Sequence, residues 1–135
     1  MIYNVLIVDD EPFIVKALAR ILKDTSINVI PCHTSDEARQ ILFKDEHICL
    51  AIIDIQLAAG NIDNSENGIK LIEHIKEHYG IPIFAISGNT EHLIRATHAG
   101  AVESIRKPYD PVATELLVNH YLKSCPNAKK HVKKD

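Results

Sequence analysis

Val5-Leu6-Ile7-Val8-Asp9-Asp10-Glu11-Pro12 is the stretch that decides the fold of this chain. Four consecutive apolar residues, mostly β-branched, read as a strand buried on both faces, as in a parallel sheet; Tyr3 to Val8 is its extent. Three acids end the strand, and Pro12 suits the first turn of a helix. Behind it Ile14, Ala17, Leu18, Ile21 and Leu22 recur at the spacing of one apolar helix face.

The same strand–helix unit repeats along the chain. Asp24-Thr25-Ser26 breaks the first helix and Ile27 to Cys32 forms a second strand. Thr34 with Glu37 three residues on is a capping box, and Ala38, Ile41 and Leu42 line the helix it opens. Cys49 to Ile53 is a third strand, ending in Asp54. A polar loop rich in Gly, Asn and Asp runs from Ala58 to Asn67, before a helix faced by Ile69, Ile72 and Ile75 and closed by Gly80. Ile81 to Ile86 is the fourth strand, with Pro82 near its start. Ser87-Gly88-Asn89 leads into a short helix, Thr90 to His98, ended by Gly100. Val102 to Ile105 is the fifth strand. Asp110 and Pro111 then open a final helix whose inner face is expected at Val112, Ala113, Leu116 and Leu117. Five strands alternating with five helices predict an α/β fold: a doubly wound, open parallel sheet with right-handed crossovers.

At 135 residues the chain is sized for one domain with a real core, 46% hydrophobic and 24% charged. Its net charge of −3 gives no overall electrostatic reason to bind nucleic acid. The longest apolar runs are strand-sized, so no membrane insertion is expected, and the N-terminus enters a strand with no signal-peptide pattern. Cys32, Cys49 and Cys125 are odd in number and widely spaced, which predicts reduced thiols in a cytoplasmic protein. The polar, lysine-rich tail, residues 124–135, is expected to be frayed.

Two strands finishing in Asp9-Asp10 and in Asp54 set three carboxylates along one sheet edge, where open α/β sheets bind ligands. Such charges repel: at about 4 Å and an effective dielectric near 20, one pair costs about 4 kcal/mol. Oxygen-only ligands at high charge density suit Mg²⁺, which keeps positions for water or phosphate oxygens. Ser87 and Lys107 end the fourth and fifth strands at the same edge. A carboxylate is a competent phosphoryl acceptor, and a metal and an ammonium neutralise charge on the transferring oxygens. Each residue alone has an ordinary explanation, such as an acidic helix start or a loop serine; together they point to phosphoryl chemistry.

This set resembles the receiver domain of two-component response regulators, over residues 1–123. The residues that carry the resemblance are Val8-Asp9-Asp10-Glu11, Ile53-Asp54, Ile86-Ser87-Gly88, Gly100-Ala101 and Lys107-Pro108. It implies a flavodoxin-like strand order 2-1-3-4-5. It further implies that Asp54 accepts a phosphoryl group from a sensor histidine kinase or a histidine phosphotransfer protein. Asp9, Asp10, Asp54 and the backbone carbonyl of Gln56 would hold Mg²⁺, Asp10 more directly and Asp9 through water. Ser87 would hydrogen-bond the acyl phosphate, Lys107 would pair with its oxygens, and the Lys107-Pro108 bond would be cis. The expected function is a single-domain switch for protein–protein signalling with an unidentified downstream target, catalysing only its own phosphorylation and dephosphorylation. The alternatives are a degenerate, phosphorylation-independent interaction module and, less favoured, a small Mg²⁺-dependent phosphatase.

The chain also departs from that family's pattern. Leu57-Ala58 replaces the usual Met-Pro step, and the matching glycine is Gly68, about six residues late. Ser104 stands where a mobile aromatic residue is usual. With that relay missing, phosphorylation is expected to act more on the 58–67 loop and on the first helix around Phe13 and Ile14 than on the fourth helix. Other motif matches are weak. His74-Ile75-Lys76-Glu77-His78 fits a zinc-peptidase pattern without a third ligand, and Ala85-Ile86-Ser87-Gly88-Asn89 lacks the first glycine of a nucleophile elbow. No glycine-rich phosphate loop follows the first strand.

Overall fold

Strands made of consecutive apolar residues must be covered on both faces. A computed structural model of the chain, which describes residues 1–55 and 65–128, shows how this is done. Its elements alternate as β1 (Tyr3–Val8), α1 (Pro12–Ile21), β2 (Ile27–Cys32), α2 (Ser35–Lys44), β3 (Ile48–Asp54), α3 (Ser65–His78), β4 (Ile83–Ser87), α4 (Thr90–Ala99), β5 (Glu103–Arg106) and α5 (Pro111–Leu122). All strand pairings are parallel, in the order β2-β1-β3-β4-β5. The order reverses between β1 and β3, and a crevice opens there at the carboxyl ends of the strands.

Alternation along each strand divides the core into two layers. Leu6, Val8, Ala51, Ile53, Ile83 and Ala85 face α2, α3 and α4. Val5, Ile7, Leu50, Ile52, Phe84 and Ile86 face α1 and α5. The edge strands are less buried, and Pro31 is tolerated in β2 because among the described residues that strand pairs with β1 alone. Helix caps form as expected: Thr34 Oγ1 accepts from the Glu37 N–H (3.1 Å) and Asp110 Oδ1 from the Val112 N–H (2.9 Å). Glu37 reaches the His33 N–H (3.4 Å) rather than that of Thr34, so the capping box closes one residue early.

Two elements differ from the sequence reading. The face of α5 that is buried comprises Thr114, Val118 and Leu122, with Leu117 and Tyr121 beside them. Val112 and Leu116 are 67% and 65% exposed. This helix is apolar on more than one side, so periodicity alone picks no face. The segment after α5 is also not frayed up to residue 128. Asn127 Nδ2 donates to the Ile48 carbonyl (3.3 Å), and the Asn127 carbonyl lies 3.2 Å from His47 Nδ1. Cys125 forms a disulfide with Cys49, which overturns the expectation of reduced thiols throughout. Wide separation in sequence does not keep the pair apart, because the end of α5 meets the start of β3 and the two Cα atoms lie 5.7 Å apart. Cys32 is the free cysteine and is buried.

Candidate functional site

Register, more than any loop, builds the site. Val8 pairs with Ile53, so Asp9 leaves β1 beside Asp54 at the end of β3. Asp54 pairs with Ile86, which sets Ser87 one step further on, and Ser87 pairs with Arg106, immediately before Lys107. Asp9, Asp54 and Ser87 are buried, with exposures of 3%, 5% and 0%. Lys107 reaches back over the edge and ion-pairs with Asp54 Oδ2. The Lys107-Pro108 peptide bond is cis, as the resemblance implies.

Asp9 is fixed by its own turn, since Oδ1 accepts the Glu11 N–H at 2.9 Å. Its backbone carbonyl is held by His33, whose Nδ1 lies 3.0 Å away. Sequence reasoning passed over His33; nothing but its place at the end of β2 marks it. Asp9 Oδ2 is buried and has no hydrogen-bond partner. Burial, and then the charge of Asp54, push the Asp9 carboxyl up to about 7 against the Glu11 N–H that lowers it. Burial alone would lower Lys107, yet the hydrogen bond and charge of Asp54, joined by Asp9 and Glu11, hold its ammonium above the ordinary lysine range. Tyr109 is raised by its burial beside the same carboxylates.

Ser87 Oγ accepts the Asn89 N–H at 3.0 Å and lies 3.5 Å from His92 Nδ1, so the start of α4 is tied to the serine. Ser104 Oγ is 2.7 Å from Thr97 Oγ1 and 3.4 Å from the Leu93 carbonyl on α4. A hydroxyl bridge thus occupies the position expected to lack an aromatic relay. Gly68 allows a close approach: an added Cβ would lie 3.1 Å from both Ile55 Cα and the Ile55 carbonyl oxygen, so the neighbouring backbone would have to give by a few tenths of an ångström. The opening turn of α3 therefore rests directly on the backbone that leaves Asp54.

The three carboxylates are not equally gathered. Asp9 and Asp54 meet, whereas Asp10 is half-buried at the rim. Among the described residues no group of three or more His, Cys, Asp or Glu side chains converges as a metal cage. Lys107 adds a positive charge beside Asp54. Gln56 and residues 58–64 of the expected 58–67 loop lie outside the described residues, as do Lys129, Lys130, Lys133 and Lys134, whereas residues 65–67 form the first turn of α3 rather than loop. The donors nevertheless fit a hard cation, because they are oxygens and the orphaned Asp9 Oδ2 is a buried acceptor beside a second carboxylate.

Residues 5–119 match the family model described as the response regulator receiver domain. The chain belongs to the receiver-domain family of response regulators. This receiver domain is 36% identical over 110 residues to an NtrX-like response regulator of Rickettsia bellii, covering 79% of this chain and 22% of that protein. It is 34% identical over 114 residues to the nitrogen assimilation regulatory protein NtrX of Azorhizobium caulinodans, covering 82% of this chain and 24% of that one. The chain thus spans less than a quarter of the length of these curated relatives. The crystal structure of the receiver domain of NtrX from Brucella abortus superposes with a TM-score of 0.75 at 28% identity, covering 89% of this chain and 98% of that one. Receiver domains are signalling switches rather than enzymes of metabolism, and phosphorylation and Mg²⁺ binding are typical of them. No helix among the described residues is long and apolar enough to cross a membrane.

Proposed function

We propose that this receiver domain accepts a phosphoryl group on Asp54 from a histidine kinase or histidine phosphotransfer protein, in the cytoplasm, and passes the signal on by protein–protein contact. The observation that carries this is a carboxylate 5% exposed at the end of the central strand, paired with Lys107 and lying beside Asp9, whose buried Oδ2 has no hydrogen-bond partner. In the transfer an Asp54 oxygen attacks the donor phosphorus, the P–N bond to the donor imidazole breaks, and the imidazole leaves with a proton from solvent. Mg²⁺, held by Asp9, Asp10, Asp54 and the Gln56 carbonyl, would neutralise charge on the phosphoryl oxygens.

The chain's own groups do the rest. Lys107 already sits on Asp54 and moves its ammonium from the carboxylate to a phosphoryl oxygen, so the positive charge is in place before the reaction. Ser87 keeps the Asn89 N–H on its oxygen while its hydroxyl proton turns to the phosphoryl group. That rotation alters the Ser87 contact with His92 locally, at the first residues of α4.

Intact-protein mass after incubation with a small phosphodonor and Mg²⁺ tests the assignment. The wild type gains one phosphoryl mass and Asp54→Asn gains none while keeping its fold. Equal labelling of the two proteins would move the acceptor elsewhere. A wild type that takes no label would favour the phosphorylation-independent interaction module.

A further inference from the structure

The central strand carries different chemistry at its two ends: Asp54 finishes it, and the disulfide partner Cys49 is its second residue. We propose that the Cys49–Cys125 disulfide is a reversible redox latch, which a dithiol reductant opens to release the segment leaving α5.

A structural staple is not what this fold needs. A domain of this size buries two full core layers without a cross-link, and structural disulfides belong mainly to small domains in oxidising compartments. What the bond does hold is local. Residues 124–128 turn back under the sheet and are fixed by the disulfide, by the Asn127 contacts to Ile48 and His47, and by the Cys125 N–H donating to the Leu122 carbonyl (3.1 Å). Above them, Tyr121 packs edge-on against Phe84 and donates to Glu103 (2.9 Å), so the last turn of α5 covers β4 and β5. The latch therefore sets how firmly the end of α5 and residues 124–128 lie on the sheet.

Reduction needs one sulfur that a thiolate can reach. Both cysteines line a cleft of about 660 Å³ shared with Lys76, Gly80, Pro82, Val102 and Pro126; Cys49 is buried in β3, and Cys125, half-buried, is the more open of the two. A reductant thiolate entering this cleft attacks Cys125 Sγ, and the S–S bond breaks with Cys49 leaving as thiolate. The second thiol of the reductant then attacks its own sulfur in the mixed disulfide and releases Cys125. The reductant becomes a disulfide, and two electrons and two protons arrive on the cysteines. Exchange with the third cysteine does not compete: Cys32 lies in the opposite core layer, and burial pushes its thiol up to about 11.

The test uses the full chain and is independent of phosphorylation. Thiols are counted by mass after maleimide labelling in denaturant, on protein first exposed to air or to dithiothreitol under native conditions. One tag is expected on the oxidised protein and three on the reduced one. Amide exchange over 119–128 should then quicken about ten-fold or more on reduction, with β1 unchanged. Cys125→Ser should exchange like the reduced protein with or without dithiothreitol, and its half-buried site makes it a gentler change than one at Cys49. Three tags on air-exposed protein, a bond that dithiothreitol opens only when the protein unfolds, or slow exchange over 119–128 in the reduced or variant protein would each overturn the latch.

Discussion

Replacing Asp9 with asparagine removes a charge that burial penalises, and the consequence is measurable as stability. In metal-free protein the Asp9 carboxyl is pushed up to about 7, first by burial and then by Asp54. An aspartate in the unfolded chain titrates near about 3.9. Between these values the folded chain holds a proton that the unfolded chain has lost. Stability owed to this residue therefore falls as pH rises through the window from about 4 to about 7, and the penalty is complete above it. The full shift corresponds to about 4 kcal/mol; relaxation of the site and water penetration reduce it to about 2 kcal/mol. Asparagine keeps the oxygen that accepts the Glu11 N–H and sets an amide donor where Oδ2 has no partner, beside Asp54. In EDTA, Asp9→Asn should be about 2 kcal/mol more stable than wild type at pH 8, the gap closing toward pH 4. Mg²⁺ at about 100 times its Kd should add about 2.7 kcal/mol to the wild type and far less to the variant, erasing the gap. Urea unfolding at stepped pH, with and without Mg²⁺, measures both. A pH-independent difference, or a variant less stable at pH 8 in EDTA, would refute the reasoning.

Lys107→Ala should bind Mg²⁺ about five-fold or more tightly than wild type, since an ammonium competing for Asp54 is removed, yet show little amide-shift response to phosphorylation; weaker metal binding would show that Lys107 supports the cation rather than opposing it. Because Ser104 and Thr97 tie α4 to β5, exchange changes with an acyl-phosphate mimic are expected around Phe13 and Ile14 more than over Thr90–Ala99, and the reverse pattern would mean that α4 moves without an aromatic relay. Gly68→Ala should cost about 1 kcal/mol: crowding against the Ile55 backbone costs about 2, offset by about 1 in helix propensity. A variant as stable as wild type would mean that α3 shifts freely.

Most of the fold was legible because its strands are continuous apolar runs punctuated by caps and prolines, signals that act over a few residues. Asp9, Asp54, Ser87 and Lys107 were legible for the same reason, each lying at the end of such a run. The sequence by itself determined which elements form, and that acidic, hydroxyl and ammonium groups end them. Only the tertiary structure decided what these groups do to one another. Register set Asp9 against Asp54, left Asp10 at the rim and brought Lys107 onto Asp54, and none of these follows from spacing along the chain. The buried side of α5 was decided in the same way, since a helix apolar on several sides takes its orientation from the sheet it meets. So was the Cys49–Cys125 bond: residues 76 apart in sequence become neighbours because a parallel strand begins where the final helix ends.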